Sequence, residues 1–318
     1  MTKTLTPRTG TAASQRVIRR RGDRVFAGIS TGAGMLILVI LAGVTIFLTV
    51  EGVPGILASP SEVNSGEGFI TYVWPLVFGT VLAAGLALAM ALPVAIGVAL
   101  FISHYAPRRL GHTLGYLIDL LAAVPSVVYG LWGIQYLSGR LVPFYQWLAD
   151  NAGFIPFFGG PASVTGRTIL TASIVLAVMV LPIMTAICRE IFLQTPRLHE
   201  EAALALGATR WEMIRMAVFP YARSGIVSAA MLGLGRALGE TLAVAMVLSA
   251  SGIVTFNLIS NTNPSTIAAN IALSFNESSG LSVNALIASG LVLFIITFVV
   301  NFAARAVVNR RKEFSGAN

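Results

Sequence analysis

Two ionisable residues lie inside an apolar stretch in the second half of the chain. Residues 233–244 read GLGRALGETLAV, so Arg236 and Glu240 are four positions apart and would share one face of a helix. An isolated charge inside a membrane costs on the order of 3 kcal/mol, so the two side chains must pair, face a water-filled cavity, or both. Because guanidinium presents a planar fork to oxyanions, the pair predicts a charged lining for an anion path. The alternative is an ion pair that only fixes helix packing.

The remaining residues offer little further chemistry. Asp119 also lies within an apolar stretch, and its place near one end of that stretch favours snorkelling or a packing role over substrate contact. The single cysteine and the three histidines follow no metal-ligand spacing, so we predict no metal site and no catalytic residue. The two lysines, Lys3 and Lys312, follow no glycine-rich phosphate-binding loop. If ATP drives this protein, we expect ATP and Mg²⁺ on a partner ATPase and no cofactor in this chain.

The composition is that of an integral membrane protein. Hydrophobic residues make up 56% of the 318 residues and charged residues 11%, with a mean hydropathy of +0.81. Soluble domains carry about a quarter charged residues. The net charge of +8 arises largely from basic clusters at both ends of the chain, which flank membrane spans. Such clusters indicate orientation, so nucleic acid is not the expected partner.

Six apolar stretches are long enough to cross about 30 Å of hydrocarbon as helices. They cover residues 25–50, 74–102, 114–137 (which contains Pro125), 168–191, 224–250 and 284–307. The sequence predicts an all-α membrane domain over residues 25–308, a flexible basic tail at 1–24 and a second tail at 309–318, with an exterior surface segment at 139–166. Of the 21 basic residues, 18 then fall on one side, so the positive-inside rule puts both termini in the cytoplasm.

One polar and charged stretch, residues 195–221, separates the fourth and fifth predicted spans. Thr195 can cap a helix whose first position is Pro196, because proline lacks only an N–H that would be unpaired there. Strong helix formers follow, and Gly207 supplies the permissive residue that ends this helix.

A second short helix is predicted after that glycine. Thr209 opens it, and Glu212 three residues later completes a capping box. Pro220 cannot continue the helix and is expected to close it. The stretch is therefore predicted as two short helices joined by a glycine elbow, between two membrane spans.

This stretch resembles the EAA loop of ABC importer permeases. The resemblance rests on five residues at the spacing of that family: Glu201, Ala202, Ala203, Gly207 and Pro220. In that family the loop is cytoplasmic and docks into a cleft on a separate ATPase subunit. The resemblance implies that these five residues couple the chain to such an ATPase. The alanines would allow close approach of the helix, and the glutamate would offer a charged contact.

Three segments within the spans carry a narrower resemblance: RALGET (236–241), VWPLVFGT (73–80) and IDLLAAVPSVVYGLWG (118–133). They resemble the PstC-type permeases of high-affinity phosphate ABC importers. The resemblance implies a MetI-like type I importer permease with six transmembrane helices in the bacterial cell membrane. It also implies three protein partners: a homologous PstA-type permease, two copies of a cytoplasmic PstB-type ATPase and an extracytoplasmic PstS-type phosphate-binding protein. Membrane lipid is a further expected partner.

The charged pair is compatible with phosphate on chemical grounds. Monohydrogen phosphate carries a proton that sulfate lacks, so Glu240 could accept its hydrogen bond while Arg236 holds the charged oxygens. Two other transport functions stay open: a permease for sulfate or molybdate, and a proton-coupled secondary transporter with Glu240 and Asp119 as relays. The second leaves the loop at 195–221 unexplained. A membrane scaffold without transport is a third reading, which the two intramembrane charges disfavour.

Overall fold

Helices dominate residues 21–63 and 66–312, the part of the chain that this computed structural model describes. In chain order they are α1 (Arg21–Leu57), α2 (Phe69–Leu100), α3 (Arg108–Ala122), α4 (Ser126–Trp132), α5 (Ser138–Ala152), α6 (Ile169–Leu193), α7 (Arg197–Ala205), α8 (Arg210–Met213), α9 (Phe219–Leu238), α10 (Leu242–Val247), α11 (Ile267–Ser274) and α12 (Leu281–Lys312). Three π-helical turns extend or join these helices, at Phe101–Tyr105, Gly133–Leu137 and Ile214–Val218. Two 3-10 turns lie at Pro60–Glu62 and Phe275–Glu277.

The described residues up to Phe47 form one compact unit, and those from Leu48 form a second. In the first unit, the large apolar side chains of α1 from Val25 to Phe47 are exposed on every side of the helix. A helix that is apolar all round and exposed fits a span that faces lipid. Of the tail predicted at 1–24, residues 1–20 lie outside the described residues, and α1 begins at Arg21.

The core of the second unit forms around α6, the most deeply buried of the candidate spans. Helix α2 packs against it along a stripe of fully buried alanines at helical spacing: Ala83, Ala84, Ala87, Ala91 and Ala95. Side chains this small let two helix backbones approach closely, which is how many helices associate in lipid. The alanine stripe therefore makes α2 and α6 the scaffold of this unit.

Among the described residues, five helices are long and apolar enough to cross a membrane: Arg24–Leu57, Phe69–Tyr105, Ile169–Leu193, Arg210–Leu238 and Leu281–Ala306. A sixth span results if Arg108–Ala122 and Ser126–Ala152 count as one, although these two arms differ in direction by 89°. The structure therefore corrects the third predicted span, 114–137. That span is broken in its middle, and its second arm continues as a helix into the predicted surface segment.

The break follows from Pro125. Proline has no N–H to continue the helix, and it disfavours helical geometry at the preceding residue, Val124. The carbonyl of Leu121, four residues before the proline, loses its regular helical partner. The Tyr129 hydroxyl donates to that carbonyl at 3.0 Å, and the Val124 N–H donates to it at 3.2 Å. The freed acceptor is thus satisfied across the bend, as a membrane interior requires.

The fifth predicted span, 224–250, is also corrected. The helical path begins earlier, at Arg210, and ends at Leu238. Residues 239–241 leave the helix, and the short helix α10 follows, with three of its six side chains buried. The single predicted span is therefore a long helix followed by a break and a short helix packed inside the protein.

The loop after α10 is held by Asn263, whose side chain is fully buried. Its amide nitrogen lies 3.1–3.3 Å from the carbonyls of Arg167, Ser249 and Ser260, and its oxygen accepts from the Ile169 N–H at 2.9 Å. A buried amide with these partners is satisfied and fixes its surroundings. Asn263 therefore ties this loop to the N-terminus of α6.

Candidate functional site

Residues 195–221, which we name the coupling loop, contain two helices joined by a glycine elbow, as predicted. Helix α7 begins at Arg197, and α8 begins at Arg210. The predicted cap at Thr195 is wrong. Pro196 is the residue before the first turn, and the Thr195 hydroxyl is buried with no partner among the described residues. Because the helix starts one residue later than predicted, Thr195 does not reach the N–H groups of its first turn.

Gly207 ends α7 as its position in the sequence predicts. Its φ is +87°, in the left-handed region that glycine adopts without strain. Its N–H donates to the Leu204 carbonyl at 3.0 Å, and the Ala208 N–H donates to the Ala203 carbonyl at 3.2 Å. These two bonds form a Schellman motif, which satisfies the last carbonyls of the helix and turns the chain.

The predicted capping box at α8 is confirmed. The Glu212 carboxylate accepts from the Thr209 N–H and from the Thr209 hydroxyl, both at 2.8 Å, and the same hydroxyl accepts from the Glu212 N–H at 3.4 Å. Both hydrogen bonds lower the pKa of Glu212, and the bond from the Thr209 N–H contributes more than the bond from the hydroxyl. The carboxylate is therefore ionised at neutral pH and stabilises the start of the helix.

Pro220 does not end this second helix, contrary to the prediction. The helical path continues from Arg210 to Leu238 through the π turn Ile214–Val218. Pro220 is the second residue of the regular helix α9 that follows this turn. Proline is tolerated there because the first N–H groups of a regular helix have no partner within it. The coupling loop therefore runs directly into a membrane span.

Helix α7 is open to its surroundings, since none of its residues, all of them described, is buried. Glu201 and Ala202 are exposed, whereas Ala203 packs against a buried apolar cluster of this chain. The side chains of Leu198 and Leu206 are 75% and 90% exposed. The two alanines of the EAA-like motif thus differ, because Ala202 faces outward and Ala203 faces the chain itself.

A polar contact joins α7 to the end of the second span. His104 Nε2 lies 3.5 Å from Glu200 Oε1, and His104 Nδ1 lies 2.7 Å from the Ser103 hydroxyl oxygen. The ring of Phe192 in α6 packs edge-on against the same imidazole. His104 therefore lies where the ends of three helices meet, beside the coupling loop.

Arg236 and Glu240 do not form the predicted pair. Helix α9 ends at Leu238, so their spacing no longer places them on one helix face, and no ion pair joins these two described residues. Glu240 is 9% exposed, and its Oε1 accepts from the Ala243 N–H at 3.2 Å, at the N-terminus of α10. A helix N-terminus stabilises a carboxylate, so Glu240 has an electrostatic partner other than arginine. The Nε of Arg236 is buried with no hydrogen-bond partner in the described part.

Arg236 lines a cavity of about 800 Å³ bordered by α6, α9 and α12, which we name the cationic cavity. The polar residues of its lining are Ser228, Arg236, Asn301 and Arg305, and the others are apolar or glycine. No acidic residue is among those that line it in the described part, and Glu240 is not a lining residue. Two guanidinium groups without a carboxylate give the cavity an environment suited to an anion.

Asn301 and Arg305 were not predicted from the sequence as lining residues, because Arg305 belongs to the basic cluster at the end of the chain. Their spacing of four residues was the available signal, since it places both on one face of a helix. Asp119, by contrast, is exposed on α3 and does not line the cavity.

Comparison with known proteins gives the class of this chain. A family model described as the binding-protein-dependent transport system inner membrane component matches residues 91–313, more than half of the chain. The chain therefore belongs to this family, whose members are the membrane components of binding-protein-dependent transport systems. Its relatives within the family include permeases named PstC.

The phosphate transport system permease protein PstC 2 of Mycobacterium tuberculosis is 45% identical over 300 residues, which cover 91% of this chain and 92% of the relative. The PstC of Mycobacterium leprae is 42% identical, with 94% of this chain and 97% of the relative covered. The PstC of Xylella fastidiosa is 37% identical, with 98% and 99% covered.

Two solved structures share the fold. One is a bacterial ABC transporter involved in the import of the acidic polysaccharide alginate, with a TM-score of 0.59 over 91% of this chain and 96% of the matched chain. The other is the MetNI methionine ABC transporter in an inward-facing conformation, with a TM-score of 0.52 over 76% and 95%. Both are 17% identical to this chain in sequence, so the comparison shows the fold alone. The predicted MetI-like permease fold is confirmed.

Proposed function

We propose that this chain is a permease subunit of an ATP-driven importer of inorganic phosphate. The observation that carries the proposal is its similarity, over more than nine-tenths of its length, to permeases named for phosphate transport. In this role the chain forms half of the translocation path and has no catalytic residue of its own. ATP and Mg²⁺ bind to a partner ATPase, which hydrolyses the ATP.

The chemistry of the cationic cavity supports an oxyanion substrate. Monohydrogen phosphate carries two negative charges, and guanidinium binds phosphate oxygens through two parallel N–H···O bonds. Arg236 is half-buried beside apolar side chains, where a charge is screened less than in water. Sulfate and molybdate have similar charge and shape, so selectivity among oxyanions is a matter for experiment.

In this proposal Arg236 contacts the substrate, and Glu240 fixes the break that follows α9. The carboxylate caps α10 through the Ala243 N–H, so it holds the short helix next to the end of the helix that carries Arg236. The assignment of Glu240 to the substrate path itself stays a prediction, since its carboxylate faces Ala243 in this conformation.

Two of the proposed partners, the ATPase and lipid, have an exposed surface of this chain to cover. The exposed residues Glu201 and Ala202 of α7 dock on a cytoplasmic PstB-type ATPase, two copies of which serve the complex. A homologous PstA-type permease completes the path, and an extracytoplasmic PstS-type protein delivers phosphate. Lipid covers the exposed apolar faces, and the positive-inside rule puts both termini in the cytoplasm.

Uptake of radiolabelled phosphate tests the proposal. Cells that lack their other phosphate transporters would express the partner chains with or without this chain. We expect uptake that requires this chain, that unlabelled phosphate suppresses, and that persists when an uncoupler is added while ATP is maintained. Equal suppression by unlabelled sulfate or molybdate would show that the importer is not selective for phosphate, and collapse of uptake with the uncoupler would assign proton coupling.

A further inference from the structure

The last helix supplies the second cation of the cationic cavity. Asn301 and Arg305 are four residues, or one turn, apart on α12, so both lie on the face that lines the cavity. Arg236 lines the same cavity from α9. Since no acidic residue belongs to the described lining, neither guanidinium is neutralised there by a carboxylate.

The position of Arg305 differs from that of a basic residue that only marks the cytoplasmic side. Such a residue extends along lipid towards the headgroups. Arg305 is exposed, but it also borders a space that it shares with another arginine. Its neighbour Asn301 donates one amide hydrogen to the Thr297 carbonyl at 2.9 Å, which holds the amide in place. The second amide hydrogen stays available to an acceptor in the cavity.

We propose that Arg305 and Asn301 form, together with Arg236, a contact site for the phosphate anion in transit. The inference rests on the proposed function and adds α12 to the substrate path. Two guanidinium groups balance the two charges of monohydrogen phosphate, and charge-assisted hydrogen bonds are about twice as strong as neutral ones. Because the arginines belong to different helices, a relative movement of α9 and α12 would separate them and release the anion.

Transport by the assembled importer tests this site. The variants Arg305→Gln and Asn301→Leu would be compared with Arg223→Gln, a matched control that removes an exposed arginine of α9 outside the cavity. At equal membrane levels, we expect Arg305→Gln to lower the maximal rate of phosphate uptake about tenfold or more, as the loss of a charge-assisted hydrogen bond predicts. Asn301→Leu should lower it less, and the control should leave it unchanged. Arg305→Lys should recover only part of the rate.

Two further measurements distinguish a phosphate contact from a coupling defect and from a lipid-headgroup contact. ATP hydrolysis stimulated by loaded binding protein should persist in Arg305→Gln, because the coupling loop is intact. In proteoliposomes, the ratio of variant to wild-type uptake should be the same in phosphatidylcholine alone and with added phosphatidylglycerol. A loss confined to anionic lipid would identify a headgroup as the ligand and overturn the inference.

Equal uptake by Arg305→Gln and Arg223→Gln would also overturn it. If Arg305→Gln fails to assemble, wild-type uptake by both Asn301→Leu and Arg305→Lys would have the same consequence. These outcomes leave the proposed function standing as long as the wild-type complex takes up phosphate. Wild-type uptake of a different oxyanion would instead refute the proposed function itself.

Discussion

Replacing Gly207 with valine tests whether the angle between α7 and α8 couples this chain to the proposed partner ATPase. At a φ of +87°, an L-residue is strained because its Cβ crowds the backbone. The conformational cost is about 1–2 kcal/mol, and for a β-branched residue such as valine it is at the upper end of this range or above it. A Cβ at this position would meet nothing within 4 Å, so no clash with a neighbouring segment adds to the cost. The expected penalty is therefore conformational.

This conformational penalty is similar in size to the free energy that the Schellman motif contributes to the glycine elbow. A cost of about 2 kcal/mol lowers the population of a conformation roughly 30-fold. The Schellman motif at Gly207 consists of two backbone hydrogen bonds, each worth about 1 kcal/mol net. The substitution thus removes about as much stability as the motif provides. We expect Gly207→Val to insert into the membrane normally and to lose most of its coupling to ATP hydrolysis.

The assay is ATP hydrolysis by the purified complex, with and without loaded binding protein, alongside phosphate uptake. Gly207→Asn is the matched control, because asparagine tolerates the left-handed region and should keep most of the stimulation. Wild-type stimulation in Gly207→Val would refute the reasoning that this backbone conformation sets the docking angle. An equal loss in the valine and asparagine variants would refute it as well, since the two differ in conformational strain.

Three further predictions concern single side chains. Glu240→Gln keeps an acceptor for the N-terminus of α10 but removes the charge. If Glu240 also lies in the substrate path, as the sequence predicts, this variant should show weaker phosphate uptake and less discrimination against sulfate. Glu240→Leu removes the acceptor as well, leaves the buried Ala243 N–H without a partner, and should lose about 1–3 kcal/mol of stability in thermal unfolding. Tyr129→Phe removes the donor to the carbonyl freed at the α3–α4 bend and should cost about 1 kcal/mol in the same assay, relative to the control Tyr136→Phe. The lowered pKa of Glu212 means that its contribution to the loop is complete above its ordinary value of 4.5 and is lost as the pH falls through the lower folded-state value. Exchange of the Thr209 amide, corrected for its intrinsic rate, should therefore increase on acidification in the wild type and not in Glu212→Gln.

The features that the sequence predicted correctly depend on contacts between near neighbours. The Schellman turn at Gly207 and the capping box of Thr209 and Glu212 each form within six consecutive residues. Residue type and spacing contain nearly all the physics of such contacts, because no distant segment is needed to close them. The coupling loop could therefore be predicted in detail, apart from the first cap and the continuation of its second helix through Pro220.

The features that the sequence did not predict correctly depend on packing between distant segments. The spacing of Arg236 and Glu240 indicates a shared helix face only if the helix continues, and the chain breaks at Gly239 so that α10 can pack inside the protein. A Cβ on Gly130 of α4 would come within 2.9 Å of the Cα of Ala243 in α10, which shows how closely the two helices approach. Arg305 likewise joins Arg236 in one cavity from about 70 residues away, which no local pattern reveals.

One helical path connects the coupling loop to the cationic cavity. It runs from Arg210, in the turn that the capping box holds, to Leu238, two residues beyond Arg236. Between Arg210 and Arg236 a helix rises about 39 Å, so a tilt of roughly 10° about the Arg210 end moves Arg236 by about 7 Å. Movement of a docked ATPase against α7 would therefore displace Arg236 relative to Arg305 on α12. In the proposed importer, binding of the anion and docking of the ATPase then both depend on the orientation of the helical path from Arg210 to Leu238.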